Sequence, residues 1–99
     1  PHGHAVAIGL AIIARASEQL GWATLPIARR VVKALARNGL PVTTTFSPEA
    51  LANAALSDKK RAGGNITLVV PKRIGDCALI DIPVEQLADV FRAGMEERA

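Results

Sequence analysis

Aromatic side chains are almost missing from this sequence: Trp22, Phe46 and Phe91 are its whole complement, and there is no tyrosine. A stacking platform for unpaired bases needs aromatics interleaved with cations, so their scarcity argues against nucleic-acid binding. It also means that the core must be aliphatic, built from Ala, Leu, Ile and Val. Cysteine is limited to Cys77. No disulfide can form within the chain, which fits a reducing compartment. Cys77 lies in a strand-like run and is expected to be a buried, inert thiol. Long hydrophobic runs are missing too. The longest, Ala5 to Ala14, is stopped by Arg15, far short of the ~20 residues that cross a bilayer. The start of the sequence lacks the basic region and cleavage pattern of a secretory signal, so the expected location is cytoplasmic, with no membrane partner. There is no Walker loop, dinucleotide fingerprint or nucleophile elbow.

What remains is a globular composition: 49% apolar and 21% charged over 99 residues. That length makes one domain, burying roughly two-thirds of the surface of its unfolded chain. The net charge is +3. Its cations cluster as Arg29-Arg30-Lys33-Arg37, Lys59-Lys60-Arg61 and Lys72-Arg73, and the first group reads as the solvated face of a helix.

The periodicity predicts about four helices and one β-hairpin. The first helix is expected from about His4 to Leu20, with Gly21 in the left-handed position past its end. Its first half is apolar on every side, and a helix apolar all round is buried all round. A domain this small cannot easily do that, so part of this helix is expected to face a missing partner. Gly9 costs about 1 kcal/mol relative to Ala in mid-helix, which close approach of another backbone would explain. Thr24 and Pro26 mark the start of a second helix with Ile27, Val31 and Leu35 on one stripe, ended by Asn38-Gly39 and Pro41. Residues 40 to 46 read as an extended connector. Ser47-Pro48-Glu49 is a cap, first-turn proline and acid at the positive helix end, opening a third helix with Leu51, Ala54, Ala55 and Leu56. Ser57 to Gly64 reads as a loop. Asn65 to Val70 and Cys77 to Ile82 are strand-like, with a longish connection from Pro71 to Asp76. Pro83 opens a last helix with Val84, Leu87, Ala88, Phe91 and Met95 on one face.

Two segments can carry chemistry. His2-Gly3-His4 holds both histidines of the chain. Imidazole is a common metal ligand, and a positive helix N-terminus keeps it neutral, the form a metal needs. A zinc site takes three or four protein ligands, more than this segment offers. Residues two apart on a helix point about 200° apart, so one ligand and one bystander is the more natural arrangement. The second segment is Asp58-Lys59-Lys60, beside Gly63-Gly64. Its ammonium groups suit a phosphate or carboxylate, although an ordinary solvated loop would look the same.

In order, the chain shows His2-Gly3-His4-Ala5-Val6-Ala7-Ile8-Gly9-Leu10, Ser17-Glu18-Gln19-Leu20-Gly21, Gly39-Leu40-Pro41, Asp58-Lys59-Lys60 and Ile74-Gly75. This succession resembles the C-terminal end of the 3-dehydroquinate synthase family of the shikimate pathway, whose members show His-Gly-Glu and a Val-Ala-Ile-Gly-Met helix, then Ser-Glu-x-Leu-Gly, Gly-Leu-Pro, Asp-Lys-Lys and Ile-Gly. The resemblance spans the whole chain, residues 1 to 99.

The resemblance implies a mostly α fold, the C-terminal helical domain of a dehydroquinate synthase-like enzyme, with the N-terminal NAD-binding domain absent. It implies that His2 is one of three ligands to a zinc or cobalt ion, and that Lys59 or Lys60 reaches a heptulosonate phosphate substrate. NAD and a divalent metal would serve the intact enzyme. The isolated chain is expected to retain neither, to be inactive, and to self-associate through its first helix. The family's acid after His-Gly is His4 here, a departure that bears on metal affinity and on the reaction. Other readings are a related sugar-phosphate cyclase, a polyol dehydrogenase fragment, or a non-catalytic helical interaction module.

Overall fold

The computed structural model describes residues 2–57 and 64–95, and of His2 and Ser57 only the backbone. Its elements are α1 (His2–Gln19), α2 (Ala28–Arg37), α3 (Pro48–Ser57), β1 (Asn65–Arg73), β2 (Asp76–Pro83), a single 3-10 turn (Val84–Gln86) and α4 (Leu87–Met95). This is the mostly helical architecture, with one antiparallel hairpin, that the periodicity predicts. None of the described helices is long and apolar enough to cross a membrane.

The core lies where four elements meet. Ala16 of α1, Ala52 of α3, Ile66 and Ile82 of the hairpin, and Leu87 and Val90 of α4 form one buried cluster. A smaller cluster of Ala14, Ile27 and Ala28 holds α2 against α1. Both are aliphatic, as the lack of aromatics requires. The helices meet through small residues. A Cβ on Gly94 would collide with the carbonyl of Ile12, so α4 crosses α1 backbone to side-chain-free backbone at that point. The close approach expected at Gly9 is thus found at Gly94, while a Cβ on Gly9 would meet nothing within 4 Å.

The start of α2 differs from the sequence expectation. The helix begins at Ala28 and has no side-chain cap of its own. Glu18, near the end of α1, takes that role: its Oε2 accepts from the backbone N–H of Ile27 at 2.5 Å and of Ala28 at 2.7 Å. A carboxylate at a helix N-terminus satisfies orphan donors and meets the positive dipole end. Thr24 instead donates through Oγ1 to the Lys72 carbonyl at 3.3 Å. Ser47, by contrast, does cap α3, accepting from Ala50 N–H at 3.0 Å.

The hairpin is tighter than expected. Its strands run on through Pro71 and Lys72 to a two-residue turn at Ile74-Gly75, where Gly75 takes φ +85°. Ladder pairs run from Asn65↔Pro83 to Pro71↔Cys77 and resume at Arg73↔Asp76, and the irregularity between Pro71 and Arg73 leaves Lys72 without a partner across the ladder. Proline cannot donate to a ladder and is tolerated at bulges. Here the bulge turns carbonyls toward α1. Pro71 O accepts from the buried Ser17 Oγ at 2.7 Å, and Lys72 O accepts from Thr24 N–H at 2.8 Å. Cys77 is exposed, which corrects the buried thiol expected from its strand: alternate residues face outward, and it shares that face with Val69 and Leu79. The 3-10 turn separates Pro83 from the last helix, and the stripe that α4 buries most deeply is Leu87, Val90 and Gly94, with Phe91 only partly covered.

Candidate functional site

α1 is a regular helix from His2 onward, two residues earlier than the periodicity suggests, and Gly3 does not interrupt it. The backbone positions of His2 and His4 are therefore about 200° apart around the helix axis. His4 is exposed. Among the described residues no group of three His, Cys, Asp or Glu comes together.

Lys59 and Lys60 lie outside the described residues. The elements on either side of them are defined. α3 ends at Ser57 and β1 begins at Asn65, with Gly64 O accepting from Val84 N–H at 3.1 Å. The first turns of α1 and the last turns of α3 border one open-sided groove of about 390 Å³, lined by Ala5, Ile8, Gly9 and Ile12 on one side and by Ala54 and Ala55 on the other. Ala5 stands three residues after His2, and Ala55 stands two residues before the end of α3. The helix that begins at His2 and the helix that leads into Asp58-Lys59-Lys60 thus face each other across the same groove.

Among the described residues the groove is lined almost wholly by apolar side chains, with no charged group. Its outer rim is Thr44 and Phe46 of the connector. Arg15 ties that connector to α1 by donating from Nη1 to the Val42 carbonyl at 2.9 Å. Arg92 of α4 pairs with Glu49 of α3 and, at 2.9 Å, with Asp89. These contacts fix α1, α3 and α4 relative to one another. The spacing of apolar residues carries no sign of Arg15 or Glu18 in these roles, because each acts on backbone that only the tertiary fold brings near.

The C-terminal family model of 3-dehydroquinate synthase matches residues 1–61, which include His2 and both lysines, and the chain belongs to this family. Its individual relatives agree. Over 87 residues it is 36% identical to the 3-dehydroquinate synthase of Enterococcus faecalis, covering 87% of this chain and 24% of that protein. It is 38% identical over 87 residues to the 3-dehydroquinate synthase of Pelobacter propionicus, with the same coverage. It is 37% identical over 100 residues to the 2-epi-5-epi-valiolone synthase of Streptomyces glaucescens, covering 99% of this chain and 26% of that protein. The chain therefore spans about a quarter of the length of the relatives it matches.

Proposed function

We propose that this chain is the C-terminal helical part of a cytoplasmic 3-dehydroquinate synthase, which converts 3-deoxy-arabino-heptulosonate 7-phosphate to 3-dehydroquinate and phosphate. The observation that supports this most directly is the family match across residues 1–61, because it contains both segments able to carry chemistry. In this reading His2 gives one of three protein ligands to a divalent ion, and the others lie in polypeptide outside these residues. When bound, the ion would supply Lewis acidity and NAD a reversible hydride store.

The chain's own contribution is positional. α1 carries His2 as its first residue. The α1–α4 crossing at Ile12 and Gly94 and the Arg15 tether hold that helix in place. Lys59 or Lys60 supplies an ammonium to the anionic substrate as a compact charge on a flexible stem. Nucleic acid is not a partner in this reading: the cations of α2 are exposed and no aromatic lies among them.

A second reading is a related sugar-phosphate cyclase. It is favoured by the similarity to the valiolone synthase over 99% of the chain and by His4, where the family's acid would stand. A carboxylate there can orient a metal-bound imidazole, whereas a neutral imidazole brings no negative charge. The test is product identification with the full-length polypeptide, NAD and zinc or cobalt. Formation of 3-dehydroquinate with release of one phosphate is expected from the heptulosonate phosphate. Formation of 2-epi-5-epi-valiolone from another sugar phosphate, without 3-dehydroquinate, would select the second reading.

A further inference from the structure

Arg15 is the only lysine or arginine of α1, and it stands in the half of the helix that the fold covers. Ala11, Ala14, Ala16 and Ser17 around it are buried, whereas Val6 and Leu10 of the first half are exposed. Arg15 is itself half-buried. A guanidinium carries five N–H donors, and here only Nη1 has a partner, the Val42 carbonyl. No ion pair among the described residues involves Arg15. Glu18 of the same helix is engaged by the start of α2, and Glu49 and Asp89 are engaged by Arg92. Beside the guanidinium lies a hollow of about 50 Å³, lined by Ile12, Arg15, Thr43, Thr44 and Met95. The two threonines open the run Thr43-Thr44-Thr45 of the connector. Thr44 Oγ1 accepts from Phe46 N–H at 3.2 Å, and neither the Thr43 nor the Thr44 hydroxyl donates to an acceptor among the described residues.

A concavity that gathers a cation and two hydroxyl donors, with no carboxylate in its wall, selects an anion. Its size narrows the choice. A water needs about 10–15 Å³ by this kind of measure, so the hollow has the room of about four waters, which suits one small oxyanion. The donor set narrows it further. A guanidinium fork holds two oxygens of a carboxylate or a phosphate side by side. A carboxylate has then presented both of its oxygens, whereas a tetrahedral oxyanion keeps two more for the threonine hydroxyls. Ile12 and Met95 keep water from part of the hollow, and a charge pair is stronger where water is displaced. We infer that Arg15, Thr43 and Thr44 form a binding site for a tetrahedral oxyanion of the phosphate or sulfate type, at the junction of α1 with the connector. The anion adds a second tie beside the bond from Arg15 to Val42. It thereby steadies the segment that runs into Ser47, the cap of α3. The inference uses neither His2 nor the lysines of the proposed function.

Equilibrium dialysis of the full-length polypeptide against radiolabelled inorganic phosphate tests this. Lys59→Ala and Lys60→Ala are introduced together, so that the lysines proposed to meet substrate contribute nothing. The protein should still bind phosphate, and Arg15→Gln should weaken that binding by about tenfold or more, as expected when a charged hydrogen-bonding partner is lost. Because Arg15→Gln also gives up the bond to Val42, Thr43→Val is made in parallel. It leaves Arg15 and its tether intact and should weaken binding by about threefold or more. Sulfate should displace the phosphate, and acetate at the same concentration should not. Displacement by glycerol phosphate as well would extend the site to phosphomonoesters. Phosphate affinity unchanged in folded Arg15→Gln and Thr43→Val proteins overturns the inference, and so does displacement by acetate as effective as that by sulfate. Binding that depends on Arg15, in a polypeptide that without the lysine changes forms no 3-dehydroquinate, keeps the site and rejects the catalytic reading. Formation of 3-dehydroquinate with phosphate binding indifferent to Arg15 does the reverse.

Discussion

Gly94 is the residue on which the helical packing turns. Because its missing side chain lets α4 rest against the Ile12 carbonyl, Gly94→Ala must push the helices apart or bend one of them. Overpacking of this kind costs about 1–3 kcal/mol, more than the gain in helix propensity from Gly to Ala, about 1 kcal/mol. The net expected effect is a loss of stability, seen as a lower urea midpoint. Gly9→Ala, facing open space in this chain, should raise the midpoint of the 99-residue chain through propensity alone. Glu18 gives a second check. Its two N–H acceptor contacts stand in for a helix cap, so Glu18→Ala should cost about 1–2 kcal/mol. Glu18→Gln should cost less, because it keeps an acceptor oxygen and loses only the charge. Both are read from denaturant curves at neutral pH.

At the scale of elements, the sequence was legible where local chemistry decides. Ser47-Pro48-Glu49 announces α3, and Ser47 caps it as expected. The alternation of Ile66, Leu68 and Val70 gives the inward face of β1. It was less legible where tertiary contacts decide. Thr24 looks like a cap, but a carboxylate from another helix does the capping. Pro71 looks like the end of a strand, yet a bulge accommodates it, because the carbonyls it turns outward find Ser17 and Thr24. Gly9 looks like a contact and Gly94 does not, since nothing local distinguishes a glycine that meets a backbone from one that meets solvent. The tight turn follows from Gly75 at φ +85°, a conformation that L residues adopt at a cost. Gly75→Ala should therefore destabilise the hairpin by about 1 kcal/mol, while the inward residues keep their register. Thermal melts should show the loss, and amide exchange in β1 and β2 should localise it.

At the scale of the whole molecule, the chain has a core of its own but leaves one side of its central helix uncovered. An exposed apolar arc on a small domain invites association. The 99-residue chain alone is expected to sediment as more than a monomer at high concentration, and Val6→Glu with Leu10→Glu should return it to monomer. A strictly monomeric wild-type chain would count against that. The candidate site was legible from motif succession and not from geometry. His2 stands at the first residue of α1, and in the proposed reading it is one of three protein ligands to a divalent ion. The most direct measurement is the rate of 3-dehydroquinate formation by the full-length polypeptide carrying His2→Ala, with bound metal quantified in the same sample. Outer-shell partners of a metal already cost about 10–100-fold when lost, so removal of a ligand should lower the rate by more than about 100-fold, with metal content falling alongside it. A full-length His2→Ala protein that keeps its metal and its rate would contradict the account.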